Sequence, residues 1–287
     1  MPFIEIKLVI TQPDRPVGRT QALQSSPVKQ MAKKHKINIA QPVSLKGFVP
    51  TGHLPKGDTL AIVAQYGLLI PKQILDAPKF GILNVHPSLL PKYRGASPIQ
   101  SVLINGEKST GVTIIQLDEG LDTGPILAQK KVDISAADTS LELGKKLALL
   151  SLEILRESIP TYLAGTLTPM PQDNAKATLC RELTRADGRV NWQNSCGTIY
   201  NLYRGLEPWP GIWTTYRGQR LKLLRIKPID ESLAVGVVMV SNTRLFIGCG
   251  YGAIEVLEMQ MEGKKPMPAD EFIRGHQAID GTKLGAI

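Results

Sequence analysis

The sequence predicts an α/β domain with a doubly wound, mainly parallel sheet, followed by a small β-barrel of OB type. In residues 1–165, short apolar runs typical of buried strands are interspersed with helical patterns and glycine-containing turns. After residue 183, short strand-like runs separated by turns have the spacing of a small barrel. Residues 166–183 are irregular and contain several prolines, which indicates a linker. The expected domains are therefore 1–165 and 184–287.

The composition limits the class of protein. The chain has 287 residues, and none of its apolar runs approaches the roughly 20 residues of a membrane span. Its three cysteines, an odd number at wide spacing, argue against a disulfide framework and favour a reducing compartment such as the cytoplasm. Its four histidines show no ligand spacing, so we expect no metal. From the short apolar runs we expect no membrane association. The cysteines and histidines are Cys180, Cys196, Cys249, His35, His53, His86 and His276.

The positive charge is concentrated near the amino end. The formal net charge is +9, and residues 1–60 hold nine basic side chains against three acidic ones. Such an excess indicates a polyanionic partner. For Lys33, Lys34 and Lys36, a solvated helix face is an equally good interpretation.

The first elements follow from apolar periodicity. Residues 3–10 alternate apolar and polar side chains and predict a strand, and residues 11–29 form a long loop with three prolines, a length that indicates a functional loop. A helix is expected from Pro27 to Lys34. Residues 37–40 and 59–64 predict further strands, the second ending at a segment from Gln65 to Pro71.

The run from Gly81 to Gly124 organises the chain. Asn84 and His86 follow a short buried strand and are two residues apart, so their side chains should leave the same face of the sheet. A second strand, residues 111–117, leads into a glycine-punctuated loop that carries Asp122. An amide, an imidazole and a carboxylate at neighbouring strand ends suit acyl transfer to an amine. Taken singly, each residue is more often structural.

The remaining elements complete the two domains. Residues 126–134 predict a strand, and Thr139 with Glu142 has the pattern of a capping box at the start of a helix that ends near Pro160. A helix is also expected from Cys196 to Leu206. The five strands expected in the second domain are residues 214–216, 221–226, 235–240, 245–247 and 253–257.

The run from Asn84 to Ala96, with Gly120–Gly124, resembles the signature of the 10-formyltetrahydrofolate-dependent formyltransferases. The resemblance implies a formyltransferase-type fold with 10-formyltetrahydrofolate as the formyl donor. It also implies catalytic roles for three residues: Asn84 as oxyanion donor, His86 as oxyanion donor and proton relay, and Asp122 as the orienting partner of His86. The residues implied to contact the folate are Ser88, Leu89, Leu90, Pro91, Tyr66, Gly67 and Leu68.

The amino-end loop and the carboxyl-terminal blocks narrow this resemblance. Residues 11–19 and 26–29 look like the branch of the family that formylates methionyl initiator tRNA, as do the blocks 207–211 and 262–267. In that branch the loop reaches the tRNA, which implies tRNA contacts for Arg15, Arg19 and Lys29. Thr20 and Gln21 depart from the branch, in which lysines are common at these positions. Basic side chains of the barrel also suit a nucleic-acid backbone, although a solvated barrel surface is an equal alternative; they are Arg217, Arg220, Lys222, Arg225 and Lys227.

The resemblance therefore implies formyl transfer from 10-formyltetrahydrofolate to methionyl initiator tRNA by a cytoplasmic monomer. Two alternatives stay open: a sugar-nucleotide N-formyltransferase and a catalytically impaired tRNA-binding copy. The second arises because the family normally has a further strand, turn and helix before the segment that opens this sequence. On that basis we expect an N-terminally truncated domain, from a gene start that lies upstream or from a destabilised copy.

Overall fold

The computed structural model describes residues 4–17, 21–48 and 59–285. They form two compact units that interleave along the chain. One unit contains the described residues up to Arg94 together with 111–130 and 149–178, and the other contains 95–110, 131–148 and the described residues from 179 onward. The units therefore do not coincide with the contiguous domains expected from the sequence.

The amino-end segment of the first unit contains two small strand pairs. Strand β1 (Leu8–Ile10) pairs in parallel with β4 (Asn38–Ala40), and β2 (Arg15–Val17) pairs antiparallel with β3 (Ala22–Gln24). Helix α1 (Pro27–Lys34) begins after Ser26, whose hydroxyl accepts a hydrogen bond from the Lys29 N–H at 3.1 Å. The expected irregular loop over residues 11–29 is thus partly a hairpin.

A four-stranded sheet has the order β5 (Ala61–Val63), β6 (Ile82–His86), β8 (Ser109–Gln116) and β9 (Ile126–Asp133). Strands β5 and β6 are parallel, but β6 and β8 are antiparallel. The prediction of a mainly parallel sheet is therefore wrong for this sheet, which is mixed. Among the described residues, no strand joins the β1–β4 pair to this sheet.

The register shows the direction of β8, since Leu83 lies opposite Gln116 and His86 lies opposite Thr113. The connection between the two strands, residues 87–108, contains helix α3 (Pro98–Ile104). A connection of this length is also compatible with a parallel crossover. The sequence did not reveal the antiparallel direction, because a buried strand has the same apolar pattern in either direction.

The longest helix, α4 (Ser140–Leu163), begins where the sequence predicted. The Thr139 N–H donates to the Glu142 carboxylate at 3.3 Å, one of the two bonds of the expected capping box. Helix α5 (Cys196–Leu206) has the predicted bounds. The shorter helices are α2 (Lys72–Leu75) and α6 (Ala269–Gly275). No helix in the described part of the chain is both long and apolar enough to cross a membrane.

The second unit is built on an antiparallel sheet that contains the five predicted strands. Its order is β11 (Ile212–Tyr216), β12 (Gln219–Ile229), β15 (Ala253–Met261), β14 (Arg244–Gly248) and β13 (Val238–Ser241), and β16 (Met267–Pro268) pairs with β15. Helix α3 packs against α5 in this unit, and a Cβ on Gly205 would lie 2.6 Å from Ile104 Cγ1. This close helix packing explains why residues 95–110 belong with the carboxyl-terminal unit. The two short strands not yet described are β7 (Arg94–Gly95) and β10 (Leu179–Cys180), which are not part of this sheet.

Candidate active site

The carboxylate of Asp122 contacts both polar side chains at the end of β6. Asn84 Nδ2 donates to Asp122 Oδ1 at 3.1 Å, and His86 Nδ1 lies 3.5 Å from Asp122 Oδ2. Asn84 and His86 leave the same face of the strand, as their two-residue spacing predicted. The structure thus brings together the three residues for which the sequence implied catalytic roles.

Asp122 reaches this position by a route that the sequence did not predict. Because β8 is antiparallel to β6, its last residue lies beside Leu83, and the loop of residues 117–124 turns back toward Asn84 and His86. Asp122 has a φ of 52°, in the left-handed region. Gly124 closes the turn, since a Cβ there would lie 1.8 Å from the Gln116 carbonyl oxygen.

Both ring nitrogens of His86 lie next to polar groups. Its Nε2 lies 2.9 Å from the Tyr93 carbonyl oxygen, which only accepts, so in the neutral ring Nε2 carries the proton and Nδ1 faces Asp122. The side chain is 4% exposed. Burial lowers the pKa of His86 below its ordinary value of 6.5, and this effect outweighs Asp122 and the Tyr93 carbonyl, which both raise it.

The segment Ser88–Pro91, implied to contact folate, is fixed by internal hydrogen bonds. Ser88 is fully buried, and its hydroxyl donates to the Lys92 carbonyl at 2.7 Å. The Thr113 hydroxyl donates to the Ser88 carbonyl at 2.6 Å and accepts from the Leu90 N–H at 3.1 Å. These bonds engage the Ser88 side chain and the Leu90 backbone within the loop, and the folate contacts of Ser88 and the buried Leu90 stay a prediction. Leu89 and Pro91 retain partial exposure.

The second implied folate segment, Tyr66–Leu68, follows β5. Tyr66 is half-buried and packs on a small apolar cluster with Leu45, Ile74 and Ile82, and burial raises the pKa of its hydroxyl. Its hydroxyl is buried and makes no hydrogen bond within the described residues. Gly67 and Leu68 are exposed. Folate contact by this segment stays a prediction.

Of the three implied tRNA contacts, Arg19 lies outside the described residues. Arg15 is exposed on β2, and its guanidinium donates to Gln12 Oε1 at 3.0 Å. Lys29 is different, because its ammonium lies 2.7 Å from Asp14 Oδ2 and its side chain is only 13% exposed. Lys29 therefore ties α1 to the hairpin, and its tRNA contact stays a prediction. Lys29 also holds the pKa of Asp14 below its ordinary value.

Several residues that support the site escaped the sequence interpretation. Tyr93 and Arg94 lay within the motif without an assigned role, and Gln172 and Thr178 lay in the predicted linker. In the sequence, the only indication of a role for Gln172 and Thr178 is that the predicted linker contains polar residues. Gln129 is a further case, since its amide donates to the Leu90 carbonyl at 3.0 Å and to Thr113 Oγ1 at 2.8 Å.

The fold agrees with comparisons to known proteins. A profile of the formyl transferase family matches residues 3–159, and a profile of the formyl transferase C-terminal domain matches residues 182–277. A solved structure of HypX from Aquifex aeolicus in complex with tetrahydrofolic acid superposes with a TM-score of 0.68 at 18% identity, covering 96% of this chain and 48% of that one. This likeness concerns the fold alone.

Closer relatives match over nearly the whole sequence. The methionyl-tRNA formyltransferase of Solibacter usitatus is 42% identical over 283 residues, which cover 98% of this chain and 91% of that protein. The methionyl-tRNA formyltransferase of Acidobacterium capsulatum is 44% identical over 288 residues, which cover 98% and 92%. With both domain profiles matched in order, this chain belongs to the methionyl-tRNA formyltransferase family.

Proposed function

We propose that this protein transfers the formyl group of 10-formyltetrahydrofolate to the α-amine of methionyl initiator tRNA. The observation that carries the proposal is the Asp122 carboxylate, which contacts the Asn84 amide through one oxygen and the His86 imidazole through the other. Two N–H donors and a titratable base around one small space suit attack by an amine on a formyl carbon.

Asn84 stabilises the negative charge that develops on the formyl oxygen. Its amide carries two hydrogens, of which one is donated to Asp122 at 3.1 Å. The other is available to the oxyanion. Because Asp122 fixes the amide before the reaction starts, no reorganisation is needed as charge develops.

His86 moves the proton. Burial lowers its pKa, so the ring is neutral at neutral pH and Nδ1 accepts the proton that the attacking amine releases. The resulting imidazolium is stabilised by Asp122 on Nδ1 and by the Tyr93 carbonyl on Nε2. The contact between Nδ1 and Asp122 is long, at 3.5 Å, so the Nδ1–H is shared with the oxyanion. Its proton passes to the folate nitrogen as the bond between that nitrogen and the formyl carbon breaks.

The side chains of Asn84, His86 and Asp122 fit a formyl group that moves from the folate nitrogen to the amine nitrogen of the acceptor. The partly exposed Leu89 and Pro91, with the Tyr66–Leu68 segment, are proposed to hold the folate. The described residues contain no cluster of three or more histidine, cysteine, aspartate or glutamate side chains that could bind a metal ion.

The tRNA is proposed to contact Arg15 and Arg19 at the amino end and an OB-like barrel formed by the carboxyl-terminal strands. On β11 and β12, the Arg220 guanidinium lies 4.3 Å from the centre of the Trp213 ring, a pairing that suits nucleic-acid backbone and bases. The protein is proposed to act as a monomer in the cytoplasm, where initiator tRNA is used.

The test is a formylation assay with charged initiator tRNA and 10-formyltetrahydrofolate. We expect His86→Ala and Asp122→Asn to lower kcat about 1,000-fold or more, since each removes part of the proton relay. Binding of the tRNA should be unchanged in both variants. His35→Ala, at the exposed end of α1, is the matched control and should keep full activity.

Two outcomes would contradict the proposal. Normal turnover by either variant would remove the assigned roles of His86 and Asp122. Formylation of an amino-sugar nucleotide in place of tRNA, or tRNA binding without any formylation by the wild-type protein, would favour one of the two alternative functions.

A further inference from the structure

Residues 170–178, part of the expected linker, are hydrogen-bonded to the site rather than free. Met170 and Ile126 exchange both backbone hydrogen bonds, at 2.7 and 2.8 Å. Eight residues later, Thr178 Oγ1 accepts from the Tyr93 N–H at 2.8 Å, and the Thr178 carbonyl accepts from the Arg94 N–H at 2.9 Å. The segment therefore contacts the base of the Asp122 loop at one end and the segment that holds His86 at the other.

Gln172 makes the most specific contacts of this segment. Its Nε2 donates to the Asp122 carbonyl at 2.8 Å and to the Gly124 carbonyl at 2.7 Å. Its Oε1 accepts from Arg94 Nε at 3.0 Å and Nη2 at 2.7 Å. The amide orientation is unambiguous, because the opposite one would face donors with donors and acceptors with acceptors.

Arg94 is placed to fix Gln172. It is a buried arginine, and Nη2 also donates to Asn174 Oδ1 at 2.8 Å. The planar guanidinium presents several N–H groups in fixed directions, so it orients the Gln172 carboxamide and, through it, two carbonyls of the Asp122 loop.

The Asp122 loop has a physical need for such support. Asp122 adopts a left-handed conformation, with φ at 52°, which is unfavourable for a residue with a Cβ. The Asp118 carboxylate stabilises the loop from within, through the Gly120 N–H and the Thr123 hydroxyl. The Gln172 bonds are made on both sides of Thr123, at the backbone that carries the Asp122 carboxylate.

We propose that Gln172, oriented by Arg94, is a positioning residue that sets the place of the Asp122 carboxylate relative to His86. Residues 170–178 are then a strap of the formyl-transfer site and not a passive linker. This inference rests on the proposed function and extends it to a part of the chain outside the motif.

The first test compares Gln172→Ala with Asn174→Ala in the full-length protein. Each variant removes an acceptor from Arg94, but only Gln172→Ala releases the Asp122 loop. We expect Gln172→Ala to lower kcat about 10- to 100-fold with KM for both substrates nearly unchanged, and Asn174→Ala to stay within about 3-fold of wild type.

The second test measures the pKa of His86 by NMR, independently of turnover. Asp122 is the charged group that shifts the pKa of the His86 ring, and the Tyr93 carbonyl is the other polar group in contact with the ring. Asp122 raises the pKa of His86, so its displacement in Gln172→Ala should lower that pKa further, whereas Asn174→Ala should leave it unchanged. With four histidines in the chain, the His86 signal is assigned from its loss in His86→Ala.

A wild-type kcat in Gln172→Ala, or equal His86 pKa values in the two variants, would overturn the proposal. If Gln172→Ala does not fold, Gln172→Met keeps the length of the side chain and removes only its polar end, and the same outcomes apply. A wild-type protein without formylation activity would overturn the proposed function instead, while the NMR comparison would still decide the role of Gln172.

Discussion

Two proline-containing segments of the first unit, residues 11–29 and 166–178, satisfy their polar groups in different ways. The first contains a hairpin of its own, in which Arg15–Val17 is bonded to Ala22–Gln24, and it directs Arg15 and Leu23 to solvent. Among the described residues, its further bonds to other segments go to residues 40, 41 and 66 and not to the Asp122 loop. The second bonds to other segments, through Met170, Gln172 and Thr178.

This difference separates two kinds of contribution to activity. In the strap of residues 170–178, Gln172 is bonded to the backbone around Asp122 and Thr178 to Tyr93, so loss of either bond should alter the chemical step. The hairpin of β2 and β3 presents charge to solvent, so changes there should alter tRNA binding and leave the chemical step intact. Three variants test whether the two segments contribute to activity in these different ways.

The largest effect is expected from Thr178→Val. The substitution keeps the shape of the side chain and removes the acceptor of the Tyr93 N–H. Tyr93 also contacts the site directly, because its carbonyl oxygen lies 2.9 Å from His86 Nε2. Loss of the bond to Thr178 should lower the free energy of unfolding by about 1 kcal/mol and kcat about 10-fold. Steady-state kinetics and urea unfolding measure the two effects.

Thr178→Ser is the control for this variant, because it keeps the hydroxyl and should retain kcat. If Thr178→Val loses stability but keeps kcat, the strap supports the fold alone and the distinction between the two segments fails.

The sequence predicted local features better than the contacts between distant parts of the chain. The spacing of Asn84 and His86 fixed their common face, and helix α5 has its predicted bounds, because both depend on local periodicity. The antiparallel direction of β8 and the grouping of α3 with α5 depend on contacts between distant residues, so periodicity carries no signal for them.

The sequence contains no indication of the residues that support the site, for a related reason. Gln172 is an ordinary polar residue in a proline-containing stretch, and only its distance from Asp122 and Arg94 in the folded chain gives it a role. Lys29 is a similar case. The resemblance implied a tRNA contact for it, and only the structure shows that its ammonium pairs with Asp14.

A smaller effect is expected from Arg15→Ala, which removes an exposed charge from β2. KM for the tRNA should rise about 3- to 5-fold with kcat unchanged, and the salt dependence of binding should weaken by about one phosphate contact. Lys33→Ala, on the exposed face of α1, is the matched control. An equal rise in KM for both variants would show a general charge effect without a specific role for the hairpin.

The smallest effect is expected from Asp14→Asn, which removes the ion pair between the hairpin and α1. Single ion pairs close to the surface contribute little, so the Tm at pH 7 should fall by only about 1 °C. The pKa of Asp14 is lowered in the folded protein, chiefly by the hydrogen bond from Lys29 and then by the one from Gln41. The stabilisation is therefore fully present above the ordinary value of 3.8 and is lost as the pH falls through the folded-state pKa.

Wild type and Asp14→Asn should accordingly differ by a constant amount between pH 5 and 8 and converge below about pH 3.8, as measured by thermal unfolding at a series of pH values. Because Lys29 keeps its charge in the variant, kcat should not change. A large fall in kcat would mean that the hairpin, like the strap, is mechanically coupled to His86 and Asp122, and the two segments would then differ only in where they touch the site.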